Sequence, residues 1–568
     1  MAIYEQFIGM KREAFTSIED MKKRYKVTYP QDFNFAYDVL DKLAWEKPDK
    51  LCMAWVGADG TEKFISFKEM SRMSSKAANC FKSLGIGKGD FVLLVLKRSY
   101  MFWYCMMGLH KLGAVAVQAT NLLTAKDYIY RNNAASIKMA VITGDGDCTA
   151  QFDKGEPYET VQVKAVTKGK KAGAGWIDFD AALDAADDNW ERPTGALGTL
   201  ATDRMLVSFS SGTTGYPKMV SHDFTYSLGH IITGVFWHRV EDGGLHFTIS
   251  DTGWLKSLWG KMYGQWLGES AVFTYDFDKF NAADILSKLE KYKITTFCAP
   301  PTMLRMMANA DLASYDLSSL KHVCTAGEAL NPDLFFKWKD ILGLELHEGF
   351  GQTETTLSVA TLYPFVKPKP GSMGLPIPNL DFAVIGPDGK EAPPGVTGEI
   401  AFHAKDEAQY EGRPCGLFRG YYRNSDATDR VFADGYYHSG DTAYRDEDGY
   451  LWYIGRNDDI IKSSGYRIGP FEVESVLAEH PAVLEVAVTG VPDPVRGFNV
   501  KATIVPAKGF DPTPELAKEL QQHVKTHTAP YKYPRVIEFV SELPKTISGK
   551  IKRVEIRQKD MEKNSGQQ

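Results

Sequence analysis

The sequence predicts an α/β protein. It has a large N-terminal domain of parallel and mixed sheets flanked by helices, with a β subdomain, and a small α+β C-terminal domain. Three observations carry this. First, FVLLVLK (91–97), a helical pattern at 100–112, AVAVQAT (114–120), a helical pattern at 125–134 and MAVITG (139–144) follow one another. Strand, helix, strand, helix, strand implies parallel pairing through right-handed crossovers. Second, KPGSMGLPIPNLDFAVIGPDGKEAPPGVTGEIAFHA, from about residue 370, has short strands cut by Pro-Gly and Asp-Gly turns. Third, beyond a polar, glycine-containing stretch at 455–470 come a helix (470–479), strands (483–489 and 499–505), a helix (513–527) and a strand (535–540). Together these make a unit of ~100 residues, the usual domain size.

The remaining elements fall between these. Residues 33–87 read as helical patterns joined by short turns. Residues 145–200, richer in Gly, Ala, Asp and Lys, read as a peripheral excursion. The α/β rhythm returns at 226–240, 271–275, 281–293, 294–299 and 321–325. The expected division is 1–456, with the β subdomain at about 371–456, and 457–568.

Composition narrows the function. Of 568 residues, 44% are apolar and 24% charged, near the globular average. There are 66 basic and 72 acidic residues, a net charge of −6, which argues against a broadly basic nucleic-acid binder. Seven cysteines are scattered with no CxxC pair, so a disulfide framework or four-thiolate zinc site is not expected. A reducing, cytoplasmic setting fits. The N-terminal segment carries Glu5, Glu13, Glu19 and Asp20, too acidic for a transit peptide, and lacks the apolar core of a secretory signal. The most apolar stretch, 99–118, is interrupted by His110 and Lys111, so no integral membrane segment is expected.

The strongest chemical signal is SFSSGTTGYPKMVSH (208–222), between a strand-like approach and a helical segment. Ser210, Ser211, Thr213 and Thr214 offer hydroxyls. Gly212 and Gly215 allow close backbone approach, and Lys218 adds a cation. This is the composition of a phosphate cradle. It is not a P-loop, because only two residues separate the glycines where that motif needs four.

SSGTTGYPK resembles the phosphate loop of the adenylate-forming enzymes: acyl-CoA synthetases, peptide-synthetase adenylation domains and luciferases. Five more motifs of that superfamily follow in order: TAGEAL (325–330), EGFGQTE (348–354), HSGDTA (438–443), GRNDDIIKSSGYRIGPFEVE (455–474) and PKTISGKIKR (544–553). SDTGW (250–254), PDPVRG (492–497) and TAPYKYPR (528–535) look most like the medium-chain acyl-CoA synthetase branch.

The resemblance implies an ATP-dependent acyl-CoA synthetase that forms an acyl-adenylate from a small carboxylic acid and passes the acyl group to CoA. It places the ATP phosphates on 210–218 and the α-phosphate at Thr353. Glu354 would hold Mg²⁺, a hard ion suited by a carboxylate. Asp441, assisted by Arg456, would take the ribose. Gly327, Glu328, Glu348, Gly349, Phe350, Gly351 and Gln352 would line the adenine and acyl slots. Lys550 would reach the carboxylate and α-phosphate. The C-terminal domain would be mobile and rotate about Asp458, bringing Ser464, Gly465 and Tyr466 to line the pantetheine tunnel. Arg467 would meet a phosphate, and Arg496 and Lys525 would meet the CoA nucleotide.

Acetate-specific relatives carry a Trp where this chain has Gly351, so the resemblance implies an acyl slot with room beyond acetyl, walled by Trp254. Medium-chain, short branched and aryl acids all stay open. So do a carrier-protein or amine acceptor and a non-catalytic nucleotide or acyl-CoA sensor. His222, His230, His238 and His246 recur every eight residues, and no metal is assigned to them. Composition leaves the oligomeric state open, a homo-oligomer included.

Overall fold

A computed structural model describes residues 2–168, 173–210, 217–404, 413–464, 466–545 and 551–565. Four sheets organise the described residues.

The strands Phe91–Val95, Val115–Gln118 and Met139–Thr143 are fully buried and pair in parallel, as their unbroken apolar runs require. They form the centre of a seven-stranded sheet. The glycine-rich excursion is structured. Val163–Thr167 and Ile177–Asp178 extend that sheet to its edge in parallel. On the other side Arg204–Phe209 and Met219–Asp223 form an antiparallel hairpin that presents the 210–218 loop.

The second sheet has nine strands. At its centre Ala271–Asp276, Leu245–Thr248, Thr296–Cys298, His322–Ala326 and Leu346–Gly351 run parallel. All therefore deliver their C-terminal ends, including Ala326 and Gly351, to one edge, where α/β sheets place their ligands. The helical expectation for 33–87 fails at two places. Leu51–Gly57 and Glu62–Ser66 are strands of this sheet, the first parallel to Ala271–Asp276 and the second antiparallel to it in turn. LCMAWV holds only one β-branched residue, so local preference does not mark it as a strand; burial against the sheet decides.

The β subdomain is a five-stranded sheet containing Gly398–His403, Tyr436–Arg445 and Leu451–Arg456. The C-terminal sheet is built on the long antiparallel pair Val483–Asp493 and Gly497–Pro506, with Val536–Phe539 parallel to the latter. The 455–470 stretch contributes to this sheet. Ile461–Ser463 and Tyr466–Ile468 form a hairpin on this sheet. The helix Pro470–Ala478 packs beside Leu451–Arg456, with Phe471 6.2 Å from Tyr453, ring to ring.

Candidate active site

The 210–218 loop is closed at its base by the Ser210 N–H donating to the Lys218 carbonyl at 2.9 Å. Ser211, Gly212, Thr213, Thr214 and Gly215 lie outside the described residues, as do Gly465 and Lys550. The Lys218 ammonium sits 4.8 Å from the centre of the Tyr421 ring. Tyr421 donates its hydroxyl to Glu354 Oε1 at 2.9 Å. Burial holds the Glu354 carboxyl above its usual range, and the Tyr421 hydrogen bond, Lys218 and Arg456 pull it partly back. Residues from four distant segments thus meet around one carboxylate.

Thr353 is placed by its backbone. His222 Nε2 donates to the Thr353 carbonyl at 2.7 Å. Burial depresses the His222 pKa to about 4, against a smaller opposing effect from that bond, so the imidazole is neutral.

Asp441 is 5% exposed and held on both oxygens. Tyr453 donates to Oδ1 at 3.0 Å, and Arg456 Nη1 lies 3.4 Å from Oδ2. Gln352 Nε2 also reaches Oδ2, as well as the Ser439 carbonyl at 2.8 Å. Tyr437 orients the amide by donating to Gln352 Oε1 at 2.6 Å. Gly440, at φ +72°, lies beneath the Arg456 guanidinium; a Cβ there would come within 2.8 Å of it.

Gly327 has φ +103°, a left-handed conformation that suits glycine. Lys256 donates to the neighbouring Ala326 carbonyl at 2.6 Å. Glu328 turns outward and accepts from the Thr302 hydroxyl at 2.7 Å. Glu348 turns inward beneath the same loop, accepting the Leu330 N–H at 3.2 Å. Burial raises its pKa to about 8, and its second oxygen has no hydrogen-bond partner. Phe350 lies 6.2 Å from the Tyr453 ring.

Gly351 is closely surrounded. A Cβ there would meet the Thr356 carbonyl at 2.3 Å and the Trp259 indole at 2.5 Å. The glycine makes space for a tryptophan from another element. The indole at this position belongs to Trp259, while Trp254 sits half-buried in the turn before it. Trp237 takes the equivalent place against Gly349, 2.6 Å from where a Cβ would stand.

On the C-terminal sheet, Ser464 (φ +51°) accepts from Arg496 Nη1 at 3.1 Å, and its N–H donates to the Arg496 carbonyl at 2.9 Å. Tyr466 is half-exposed and stacks on Tyr531 at 4.1 Å. Arg467 belongs to the Tyr466–Ile468 strand. Lys525 lies on the helix Pro514–His527, its ammonium 4.1 Å from the Tyr533 ring centre. Asp458 accepts from Arg456 Nε at 3.4 Å. Its neighbour Asp459 pairs with Arg557, and Arg553 pairs with Glu474 at 2.7 Å.

Family models match this chain twice: an AMP-binding enzyme model over residues 40–422 and an AMP-binding enzyme C-terminal domain model over 472–550. The chain belongs to the AMP-binding enzyme family. Among relatives, the acyl-coenzyme A synthetase ACSM3, mitochondrial, of Pongo abelii is 40% identical over 555 residues, covering 96% of this chain and 93% of that one. A crystal structure of the Brucella canis acyl-CoA synthetase is 31% identical, with a TM-score of 0.70, covering 94% and 95%. The anthranilate CoA ligase AuaEII in complex with anthranoyl-AMP is 27% identical, with a TM-score of 0.84, covering 94% and 99%.

Within this AMP-binding fold, sequence reasoning missed Tyr421, Tyr437, Tyr453, Lys256 and Trp259. Tyr421 lies in a loop and Tyr437 and Tyr453 on strands that show no motif of their own, and their hydroxyls acquire meaning only through the partners the fold supplies. Among the described residues no group of three or more His, Cys, Asp or Glu could hold a metal ion, and no helix is long and apolar enough to cross a membrane.

Proposed function

We propose that this chain is an ATP-dependent acyl-CoA synthetase that activates a medium-chain or short branched carboxylic acid. The observation that carries the reading is the meeting of Lys218, Tyr421 and Arg456 around Glu354. A site that must hold a carboxylate beside a triphosphate needs cations and donors concentrated where charge is carried.

In the first step a carboxylate oxygen attacks the α-phosphorus, the bond to the β-phosphate breaks, and pyrophosphate leaves. The 210–218 loop and Lys218 hold the β- and γ-phosphates, and Thr353 contacts the α-phosphate. Asp441 accepts from the ribose hydroxyls, oriented by Arg456, Tyr453 and Gln352. Lys550 balances the charge that develops on the α-phosphate and departs with its domain. In the second step the CoA thiol, losing its proton to solvent, attacks the acyl carbon and AMP leaves. The domain 457–568 turns about Asp458. Ser464, Gly465 and Tyr466 then line the tunnel, Gly465 because it has no side chain to block it. Arg467 meets a phosphate of the adenine nucleotide, and Arg496 and Lys525 meet CoA phosphates.

Glu354 fits Mg²⁺. It is an oxygen donor with few neighbouring protein ligands, which matches an ion that keeps several waters and takes substrate oxygens. When bound, Mg²⁺ would neutralise charge on the phosphate oxygens.

The Trp259 indole at Gly351 shortens the slot that the glycine alone would open, which supports the short, branched end of the range. An aryl acid is the second reading, favoured by the aromatic walls Trp237 and Trp259 and by the likeness to a ligase crystallised with anthranoyl-AMP. We place the chain in the cytoplasm, although the named relatives are mitochondrial.

The test is AMP and acyl-CoA formation with ATP, Mg²⁺ and CoA across acetate, butyrate, 2-methylbutyrate, hexanoate, octanoate and benzoate. A peak between four and ten carbons is expected. A benzoate peak moves the reading to an aryl-CoA ligase. Acyl transfer to a carrier protein but not CoA moves the acceptor, and nucleotide binding without pyrophosphate release leaves a sensor.

A further inference from the structure

The helix Lys256–Lys261 touches three separate parts of the site. Lys256 reaches the Ala326 carbonyl at its start, and Trp259 meets Gly351 in its middle. At its end Lys261, 1% exposed, donates from Nζ to the Ser250 carbonyl at 2.8 Å. Ser250 opens the SDTGW loop, which is clamped on its other sides too. Asp251 accepts from Arg98 Nη1 at 3.0 Å and from the Gly253 N–H at 2.9 Å. Thr252 donates to the Lys97 carbonyl. Gly253 lies so close to the Thr120 backbone that a Cβ would stand 2.2 Å from its nitrogen. Little slack remains, so one long cationic side chain links the loop to the helix that carries Trp259.

A fully buried ammonium is costly unless it is compensated. The groups around Lys261 are Arg98 and His246, and the carboxylates Asp251 and Asp276. Asp276 is 2% exposed, and its Oδ1 has no hydrogen-bond partner. Lys97 lies 3.5 Å from that oxygen and Lys168 3.7 Å from the other. Plain packing would be served by an apolar residue here; the observed arrangement retains a charge-bearing donor and aims it at the loop.

We propose that Lys261 is a positioning residue for the acyl half of the site, holding the Ser250–Trp254 loop against the helix that presents Trp259 and so setting the fit of the carboxylic acid. This rests on the synthetase reading above. Burial, with Arg98 adding to it and Asp251 and Asp276 opposing, lowers the Lys261 pKa to about 7. The ammonium therefore gives way to the neutral amine across the neutral range. The charged form binds the carbonyl more tightly, so acid recognition is better on the acid side of pH 7.

The test uses the full chain with Lys261→Met, which keeps length and removes donor and charge, and Lys261→Gln, which restores a donor. In Lys261→Met, KM for butyrate, 2-methylbutyrate or hexanoate is expected to rise at least tenfold, with KM for ATP within twofold. Lys261→Gln recovers part of the loss. The wild-type KM for the acid rises between pH 6 and 8, and this step is absent in Lys261→Met. Amide hydrogen exchange over 250–261 speeds up in Lys261→Met, a readout that needs no turnover. Unchanged exchange overturns the proposal, and so does an equal rise in the KM values of acid and ATP. If Lys261→Met does not fold, the wild-type pH dependence decides, and a flat acid KM overturns the proposal. Failure of the wild type to adenylate any acid would overturn the synthetase reading, while the exchange measurement would still judge Lys261.

Discussion

Asp441 and Arg456 are register partners on adjacent antiparallel strands, and the guanidinium Nη1 lies 3.4 Å from Asp441 Oδ2. The 14 residues between them form a hairpin that brings two motifs face to face. Tyr453 and Gln352 also donate to it, so Asp441 is fixed in place although it is almost fully buried. Replacing it with Asn keeps the shape and removes the charge. A hydrogen bond to a charged group contributes about 1.5–3 kcal/mol. Asp441→Asn should therefore weaken ATP and AMP binding by about 10–100-fold, checked by equilibrium dialysis, while the protein still melts cooperatively.

Lys550 acts in one half-reaction only, if the C-terminal domain alternates between two arrangements. Lys550→Ala should cut acyl-AMP formation by about 10²–10³, the usual loss for removing one donor to developing charge. Thioester formation from supplied acyl-AMP should stay near the wild-type rate. Single-turnover measurement of each half-reaction separates them, and equal loss of both would sink domain alternation.

Gly351 and Trp259 make a linked pair of predictions. Gly351→Ala forces a Cβ to within 2.3 Å of the Thr356 carbonyl, a backbone atom that cannot step aside. Overpacking of this kind costs about 1–3 kcal/mol, so its melting temperature should fall. Trp259→Leu does the reverse, opening space beside the glycine. Because one methylene is discriminated by about 1–3 kcal/mol, the ratio of kcat/KM for hexanoate over butyrate should rise about tenfold or more. An unchanged ratio would remove Trp259 from the acyl wall.

Glu348 makes stability depend on pH. Its pKa is about 8 in the fold against 4.5 unfolded. Between those values the folded protein holds the extra proton, so this group's stabilising effect is present at low pH and is lost as pH rises toward 8. The slope from this one group approaches about 1.4 kcal/mol per pH unit. Glu348→Gln keeps the acceptor for the Leu330 N–H and removes the titration. Its melting temperature should fall less than the wild type's between pH 5 and 8, and parallel curves would show that Glu348 is ionised throughout.

Several elements were legible because local pattern and tertiary need coincide. The run at 91–95 is apolar on both faces because helices cover both sides of its sheet. The polar hairpins of the β subdomain show their turns as Pro-Gly and Asp-Gly. Leu51–Gly57 escaped because Leu, Cys, Met and Ala carry little strand preference and the run shows no alternation; pairing with Ala271–Asp276 and Glu62–Ser66 settles its conformation. The motifs were legible through their ordered resemblance to the adenylate-forming enzymes. Their hydroxyl partners Tyr421, Tyr437 and Tyr453 were not, since a lone tyrosine has no spacing to betray it.

By itself the sequence determined the α/β class, the phosphate-cradle composition of 208–222 and the order of the six motifs that carry the family resemblance. Those depend on neighbours along the chain. Tertiary structure alone decided which side chains complete the site. It put Trp259 where Gly351 left room, turned Glu348 beneath the loop that it supports, and set Lys261 on the Ser250 carbonyl. Each is a contact between segments folded from separate parts of the chain, where excluded volume and the cost of burying charge, and not local preference, determine what fits.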